Sequence, residues 1–198
     1  MAVSTRTCAN GKGLDSLLRL RGLPGKSRHQ RAAAALYAAA VAAARDPYFY
    51  ASLGVPDTLD GRFDLISLHA FLLVNRLQDA GDPGPALAQA VFDAMFQDMD
   101  RNLREIGVGD LSVGKRVRAM WEAFHGRSKA YAEAMRAMDQ ETLAAALTRN
   151  VWRGVAPEGA PQRLAELVLE QAADLVRQPL DALAAGQVRF RPAPKVAV

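Results

Sequence analysis

The sequence predicts an all-α protein: a single compact multi-helix domain of about six to seven helices, with a basic N-terminal arm and a loose C-terminal tail. Three observations support this. Apolar residues recur at intervals of three and four nearly everywhere after Arg28, the spacing that gathers them on one side of a helix. Sustained two-residue alternation, the mark of half-buried strands, is almost absent. The chain has 198 residues, 50% of them hydrophobic and 23% charged, enough for one sizeable core without disulfide or metal reinforcement. The expected division is an arm over 1–29, a helical domain over 30–177 and a tail over 178–198.

The first long helix is expected from about Gln30 to Arg45. Pro47 ends it, because its ring disfavours helical angles at Asp46. Asp46 can then cap a short turn, Pro47 to Tyr50, with Pro47 in the first helical position. The alanine-rich stretch Ala32 to Ala44 lets a neighbouring helix approach closely, and it is too short to span a bilayer. A turn-rich connection, Gly54 to Gly61, precedes a helix that starts near Asp60, its expected cap, and reaches Gln78. Phe63, Ile66, Ala70, Leu73 and Leu77 share one stripe while Leu65, Leu68, Phe71 and Leu72 take other sides. A helix apolar on most faces is central.

Gly81 to Pro85 separates that helix from one turning Leu87, Val91, Met95, Met99, Leu103 and Ile106 inward, with Asp100 and Arg104 one turn apart and able to pair. After Gly107 to Asp110, with Asp110 or Ser112 as cap, a long helix is expected. Its seam runs through Val117, Trp121, Phe124, Ser128, Tyr131, Met135 and Met138, and its outer side is basic through Lys115, Arg118, His125, Lys129 and Arg136. Asp139 caps a helix through Leu143 and Leu147 to Val151, and Pro161 to Arg177 forms the last. Gln187 to Val198 reads as a loose or surface-laid tail.

Charge is distributed unevenly. Arg6, Lys12, Arg19, Arg21, Lys26, Arg28 and Arg31 face Asp15 alone over the first 31 residues, a surplus of six that leaves the rest at −2 within a total of +4. A basic arm on a near-neutral body suits an anionic neighbour such as ribosomal RNA or the inner face of a membrane. A single cysteine, Cys8, cannot form an internal bridge. With neither an apolar stretch nor a small-residue cleavage site at the amino terminus, a cytoplasmic location is expected, peripheral at the inner membrane where the arm makes contact.

Apparent chemical motifs resolve into structural ones. Gly109 to Arg116 has the spacing of a phosphate-binding loop, but Arg116 stands where a serine or threonine must hold magnesium, and a helix precedes it instead of a strand. Glu122 and His125 form one Glu-x-x-His, and di-iron bundles need two. His69, within an apolar run, reads as a core histidine bonded to a neighbouring helix, or as the polar handle of a ligand pocket. The Asp57, Asp60, Asp64 group and the Asp93, Asp98, Asp100 group lack the spacing of a calcium loop. Neither a nucleophile elbow nor an ordered partner for Cys8 occurs, so no catalytic residue, metal site or cofactor is expected. What packing does not require is a set of polar, glycine-punctuated helix ends, where contact surfaces tend to lie.

Those segments carry a resemblance. Tyr48-Phe49-Tyr50, Gly54 to Asp64, Leu68-His69, Asp98-Met99-Asp100, Leu103 to Lys115, Gly126-Arg127, Ala130-Tyr131 and Arg149-Asn150-Val151 occur in the order of the ubiquinol–cytochrome c chaperone family, and the likeness covers about Tyr37 to Trp152. The resemblance implies a non-enzymatic helical assembly factor for the cytochrome bc1 complex, and the alanine- and arginine-rich composition reads as that of a bacterial relative. Its mitochondrial relatives act with a small partner protein near the ribosomal tunnel exit and hold newly made cytochrome b. It implies as partners nascent cytochrome b or another bc1 assembly component, the ribosome and the inner membrane surface, and no sequence-specific DNA binding. The expected partner-binding residues are Tyr48, Tyr50, Asp57, Thr58, Asp60, Arg62, Asp98, Arg101, Arg104, Asp110, Lys115, Arg116, Arg127, Tyr131, Arg149 and Asn150. The Tyr48–Tyr50 aromatics and Met95, Met99, Met120, Met135 and Met138 are candidates to line an adaptable apolar groove. The alternative is a carrier of a lipid, quinone or haem, with His69 in its pocket.

Overall fold

The computed structural model describes residues 24–195. Among them every regular element is an α-helix: α1 (Pro24–Ala44), α2 (Pro47–Ala51), α3 (Leu59–Gln78), α4 (Gly84–Glu105), α5 (Asp110–Arg136), α6 (Gln140–Val151), α7 (Ala160–Arg177) and α8 (Leu180–Ala184). The arm up to residue 23, with Cys8 and most of its basic residues, lies outside the described residues, as do residues 196–198. The first helix begins at Pro24, ahead of the expected Gln30.

α3 is the central helix. It packs against α1, α4, α5, α6 and α7, and Leu65, Leu68, Leu73 and Leu77 are fully buried in it. α1 presents Ala33, Leu36, Ala40 and Ala44 to this core, and the small side chains let it lie against both α3 and α4. Asp46 caps α2 as expected, its Oδ1 accepting from Tyr48 N–H at 2.9 Å. The cap of α3 is Thr58 and not Asp60: Thr58 Oγ1 accepts from Gly61 N–H at 3.2 Å. Gly61 is required there by the incoming chain, because a Cβ would sit 2.0 Å from the Pro56 carbonyl oxygen.

α4 buries Leu87, Val91, Met95, Met99 and Leu103 as its stripe predicts, whereas Ile106, at its C-cap, is 58% exposed. α5 departs further from expectation. Trp121 is 46% and Met138 80% exposed, and the buried side is Val113, Phe124, Tyr131 and Ala134. For Trp121 the reason is length: α6 has 12 residues against 27 in α5, so at 1.5 Å per residue it flanks less than half of its neighbour, while Met138 lies past the end of α5, in the left-handed turn before α6. The N-terminal half of α5 stands out with open flanks. Its cap is Gly109, with no side-chain cap bond; Asp110 instead accepts from Arg104 at 2.5 Å. α6 is capped by Asp139 as predicted, Oδ1 accepting from Thr142 N–H at 2.9 Å.

The C-terminal segment is laid on the surface. Gln178 exchanges two hydrogen bonds with the backbone of Arg189, at 2.7 and 2.9 Å, and Gln171 Oε1 accepts from Arg191 N–H at 2.7 Å. Val188, Phe190 and Ala193 pack against the core. No helix among the described residues is long and apolar enough to cross a membrane.

Candidate binding groove

The start of α3, the end of α4 and the exposed half of α5 enclose a groove of about 360 Å³. Helical spacing builds its walls. Leu59 and Phe63 lie one turn apart on α3, Met99, Leu103 and Ile106 follow one face of α4, and Arg116, Met120, Ala123 and Arg127 follow one face of α5. Met99 and Leu103 are buried at its base, while Leu59 and Ile106 are 59% and 58% exposed. Two large aliphatic side chains exposed at one concavity are not used by the core, and they make this concavity a candidate contact surface. Arg104 fixes the wall geometry by bridging Asp100 on its own helix at 2.7 Å and Asp110 on α5 at 2.5 Å.

An ion cluster closes one end. Asp64 is buried under the groove, and its Oδ1 accepts from Arg127 Nη1. Arg153 Nη2 stands 2.9 Å from Asp64 Oδ2, out of line for a hydrogen bond, so charge alone holds that oxygen. Burial pushes the Asp64 carboxyl up to about 6, against the pull of Arg127 and Arg153. The Arg127 guanidinium also lies over the Phe63 ring, 5.9 Å from its centroid. Arg153 reaches the site from the α6–α7 turn, where it holds a left-handed φ of 55°. Its neighbour Trp152 anchors that turn by donating to the Leu53 carbonyl at 3.1 Å. Tyr131 is buried beside the cluster, and burial raises its phenol to about 12, with Asn150, Arg127 and Arg149 opposing.

The structure sorts the residues singled out in the sequence. Asp60, Arg116 and Arg127 line the groove, Asp60 lying 3.8 Å from Arg153, and Lys115 is exposed on α5 beside Arg116. Thr58 is a cap, and Asp57 pairs with Arg62 at 2.6 Å on the surface. Asp98 accepts from Tyr37 Oη at 2.9 Å and from Asn102 at 3.2 Å, with the exposed Arg101 at 4.0 Å. The aromatic triplet is scaffold: Tyr48 and Phe49 are buried, and Tyr50 Oη donates to the Ala44 carbonyl at 3.0 Å. Of the methionines, Met99 and Met120 line the groove, Met95 is fully buried and Met138 projects into solvent elsewhere.

His69 bonds to its own helix and not to a neighbour: Nδ1 lies 2.8 Å from the Leu65 carbonyl. Burial lowers its pKa, so the ring is neutral and Nδ1–H donates. Phe49 and Phe190 pack on it at 5.5 and 5.6 Å. The cavities beside it measure about 30 and 260 Å³, below the roughly 300 Å³ at which ligand pockets begin. Sequence reasoning missed Leu59, Phe63, Leu103, Ile106, Asp64 and Arg153 as site residues. The stripe spacing was there to read, but exposure at a helix end is not a property of spacing.

The family model described as Ubiquinol-cytochrome C chaperone matches residues 51–190, which contain the whole groove. The match begins after the Tyr48–Tyr50 triplet and runs well past Trp152, where the motif likeness stopped. The Ubiquinol-cytochrome-c reductase complex assembly factor 1 of Xenopus laevis is 27% identical over 149 residues, covering 73% of this chain and 72% of that protein. The Mus musculus protein named Ubiquinol-cytochrome c reductase complex assembly factor 1 is 27% identical over 153 residues, with 73% of this chain and 49% of its own length covered. The chain thus spans about half of the mouse relative. The crystal structure of the Cbp3 homolog from Brucella abortus superposes with a TM-score of 0.76 at 36% identity, covering 90% of this chain and 97% of that one. The agreement of sequence motifs, family match and fold shows that this chain belongs to the ubiquinol-cytochrome C chaperone family.

Proposed function

We propose that this chain is a chaperone for assembly of the ubiquinol–cytochrome c reductase complex, and that the α3–α4–α5 groove holds an apolar segment of an unassembled subunit, cytochrome b first among them. The observation that carries the reading is the family match over residues 51–190, within which an open apolar groove lies ready-made. A membrane-destined segment in water needs its apolar residues covered, and each well-buried Leu- or Phe-sized anchor contributes about 1.5–3 kcal/mol. A few such anchors give binding in the micromolar range, about −8 kcal/mol, tight enough to hold and weak enough to release. The role is to hold, and no reaction is assigned to these side chains. Lys115 and Arg116, at the exposed start of α5, are assigned to contact with the anionic face of the inner membrane, where each cation contributes about 1 kcal/mol.

The test is recovery of the tagged full chain from cells in mild detergent, with identification of what accompanies it. Cytochrome b or another bc1 component should co-purify with the wild type and be lost with Leu59→Asp plus Ile106→Asp. Recovery of no bc1 component, together with unchanged bc1 content in a deletion strain, overturns the proposal.

A further inference from the structure

The opposite flank of α5 carries a second groove, larger than the first and different in chemistry. It measures about 630 Å³ and is bounded by α3, α4 and α5. Its wall is an aromatic cluster: Phe92 packs on Phe124 with centroids 5.5 Å apart, and Trp121 on His125 at 4.1 Å. Trp121 is nevertheless 46% exposed, so this cluster ends in an open indole.

The charged residues lining it have one sign: they are Lys129 and Arg136, and no carboxylate lines the groove. The nearest acids on α5 are turned to other cations or only loosely engaged: Glu122 pairs with Arg118 at 3.0 Å, and Glu133 reaches Lys129 at 4.0 Å. Arg136 makes no ion pair among the described residues. In the same groove Ser128 Oγ is buried without a hydrogen-bond partner. An open tryptophan at one end of the groove and, about 22 Å further along α5, an arginine without an ion pair among the described residues, with apolar surface between them, are residue types enriched at interface hot spots.

We propose that this face docks a helix of a protein partner whose apolar stripe is flanked by Asp and Glu. The trough beside α5 accepts a further helix, Trp121 and Phe92, backed by the buried Phe124, meet its apolar stripe, and Lys129 and Arg136 meet its carboxylates. A single-stranded nucleic acid is the poorer fit, since base stacking needs free ring faces and Phe92 and Phe124 are packed against each other. This surface is separate from the groove of Leu59 and Ile106, so the inference stands independently of the proposed client.

The chain supplies its own reporter. Of its two tryptophans, Trp152 is buried and bonded to Leu53, so a change in solvent exposure at Trp121 dominates any shift in emission. The full chain is titrated with a three-heptad amphipathic peptide, leucine at a and d and glutamate at the flanking positions, and with the same peptide carrying lysine for glutamate. The glutamate peptide should bind saturably with a blue shift of emission, and the lysine peptide should not. Trp121→Phe should abolish the shift, and Lys129→Glu with Arg136→Glu should weaken binding about tenfold or more, at unchanged melting temperature. Val176→Asp, at an exposed position of α7 outside both grooves, should leave this binding intact. Equal binding of both peptides, no shift with either, or a shift produced instead by single-stranded RNA or by phosphatidylglycerol vesicles overturns the proposal. If Trp121→Phe is unstable, the double charge reversal alone decides it.

Discussion

Asp64 of α3 and Arg127 of α5, 63 positions apart in the chain, form a buried ion pair directly beneath the candidate groove. Arg153 completes it from the α6–α7 turn, so one carboxylate ties together three separate parts of the fold. Burial works against its charge, which makes this pair a device for placing two guanidiniums at the groove and a poor source of stability.

A pH dependence follows with a definite sign. The folded pKa of Asp64 is raised to about 6, above an unfolded value near 3.9, so between about pH 4 and pH 6 the folded state binds the extra proton. Its contribution to stability is therefore present in full below pH 4 and is lost as pH rises to 6, at no more than about 1.4 kcal/mol per pH unit. The surface carboxylates Asp57, Asp100 and Asp174, lowered by their arginine partners, act with the opposite sign and below that window. Urea denaturation from pH 4 to 7 should show the slope, and Asp64→Asn should remove it while keeping or raising stability above pH 6. Arg127→Met should instead be destabilising, up to about 3 kcal/mol, because it removes the hydrogen-bonded partner of the buried carboxylate and leaves Arg153 as its neighbouring charge.

Leu59 and Ile106 are exposed, so changing either to Asp should move folding stability by no more than about 0.5 kcal/mol. The same changes remove an apolar anchor from the groove. Affinity for an apolar helical peptide should fall about tenfold to a hundredfold per site, measured by fluorescence anisotropy beside a melting curve for each variant.

α5 ends in a paired turn: Asp139 N–H bonds to the Ala134 carbonyl at 3.0 Å and Met138 N–H to that of Met135 at 3.1 Å. Met138 takes the left-handed conformation there, φ 54°, with its side chain 80% exposed. Glycine suits this position and sacrifices no packing. Met138→Gly should raise stability by up to about 1 kcal/mol, a gain of about 2–4 °C in calorimetry.

Two glutamine side chains hold the backbone of the C-terminal segment, and the Arg191 side chain adds bonds to Asp174 and Glu170. Removing one of the glutamines, with Gln178→Ala, breaks both bonds to Arg189, a loss of about 1 kcal/mol per bond. Native-state hydrogen exchange should show the Arg189 amide exchanging about tenfold or more faster, and the Arg191 amide, bonded to Gln171, should respond less. Equal rates in wild type and variant would refute this account of the segment.

Much of the fold is legible because its causes are local. Asp46-Pro47 starts α2, Asp139 caps α6, and the α4 stripe buries from Leu87 to Leu103 as its spacing requires. The cap of α3 was misread because Asp60 and Thr58 are both good caps, and the choice rests on the approach of the Pro56 carbonyl to Gly61. The α5 seam was misread for a longer-range reason. Val117 to Met138 has the right spacing throughout, but α6 is too short to cover it, so Trp121 stays in water.

By itself the sequence determined the helical class, the order of the helices, the family and the Asp46 and Asp139 caps, because hydrophobic period, proline geometry and capping oxygens act within a turn or two of the backbone. Only the tertiary structure decided which apolar residues are core and which are left exposed. Burial is a property of neighbours: Leu59 and Leu65 have the same side chain on the same helix, yet one is 59% exposed and the other fully buried. It likewise decided that Asp64, Arg127 and Arg153 meet, since attraction between charges depends on distance in space and not on separation along the chain.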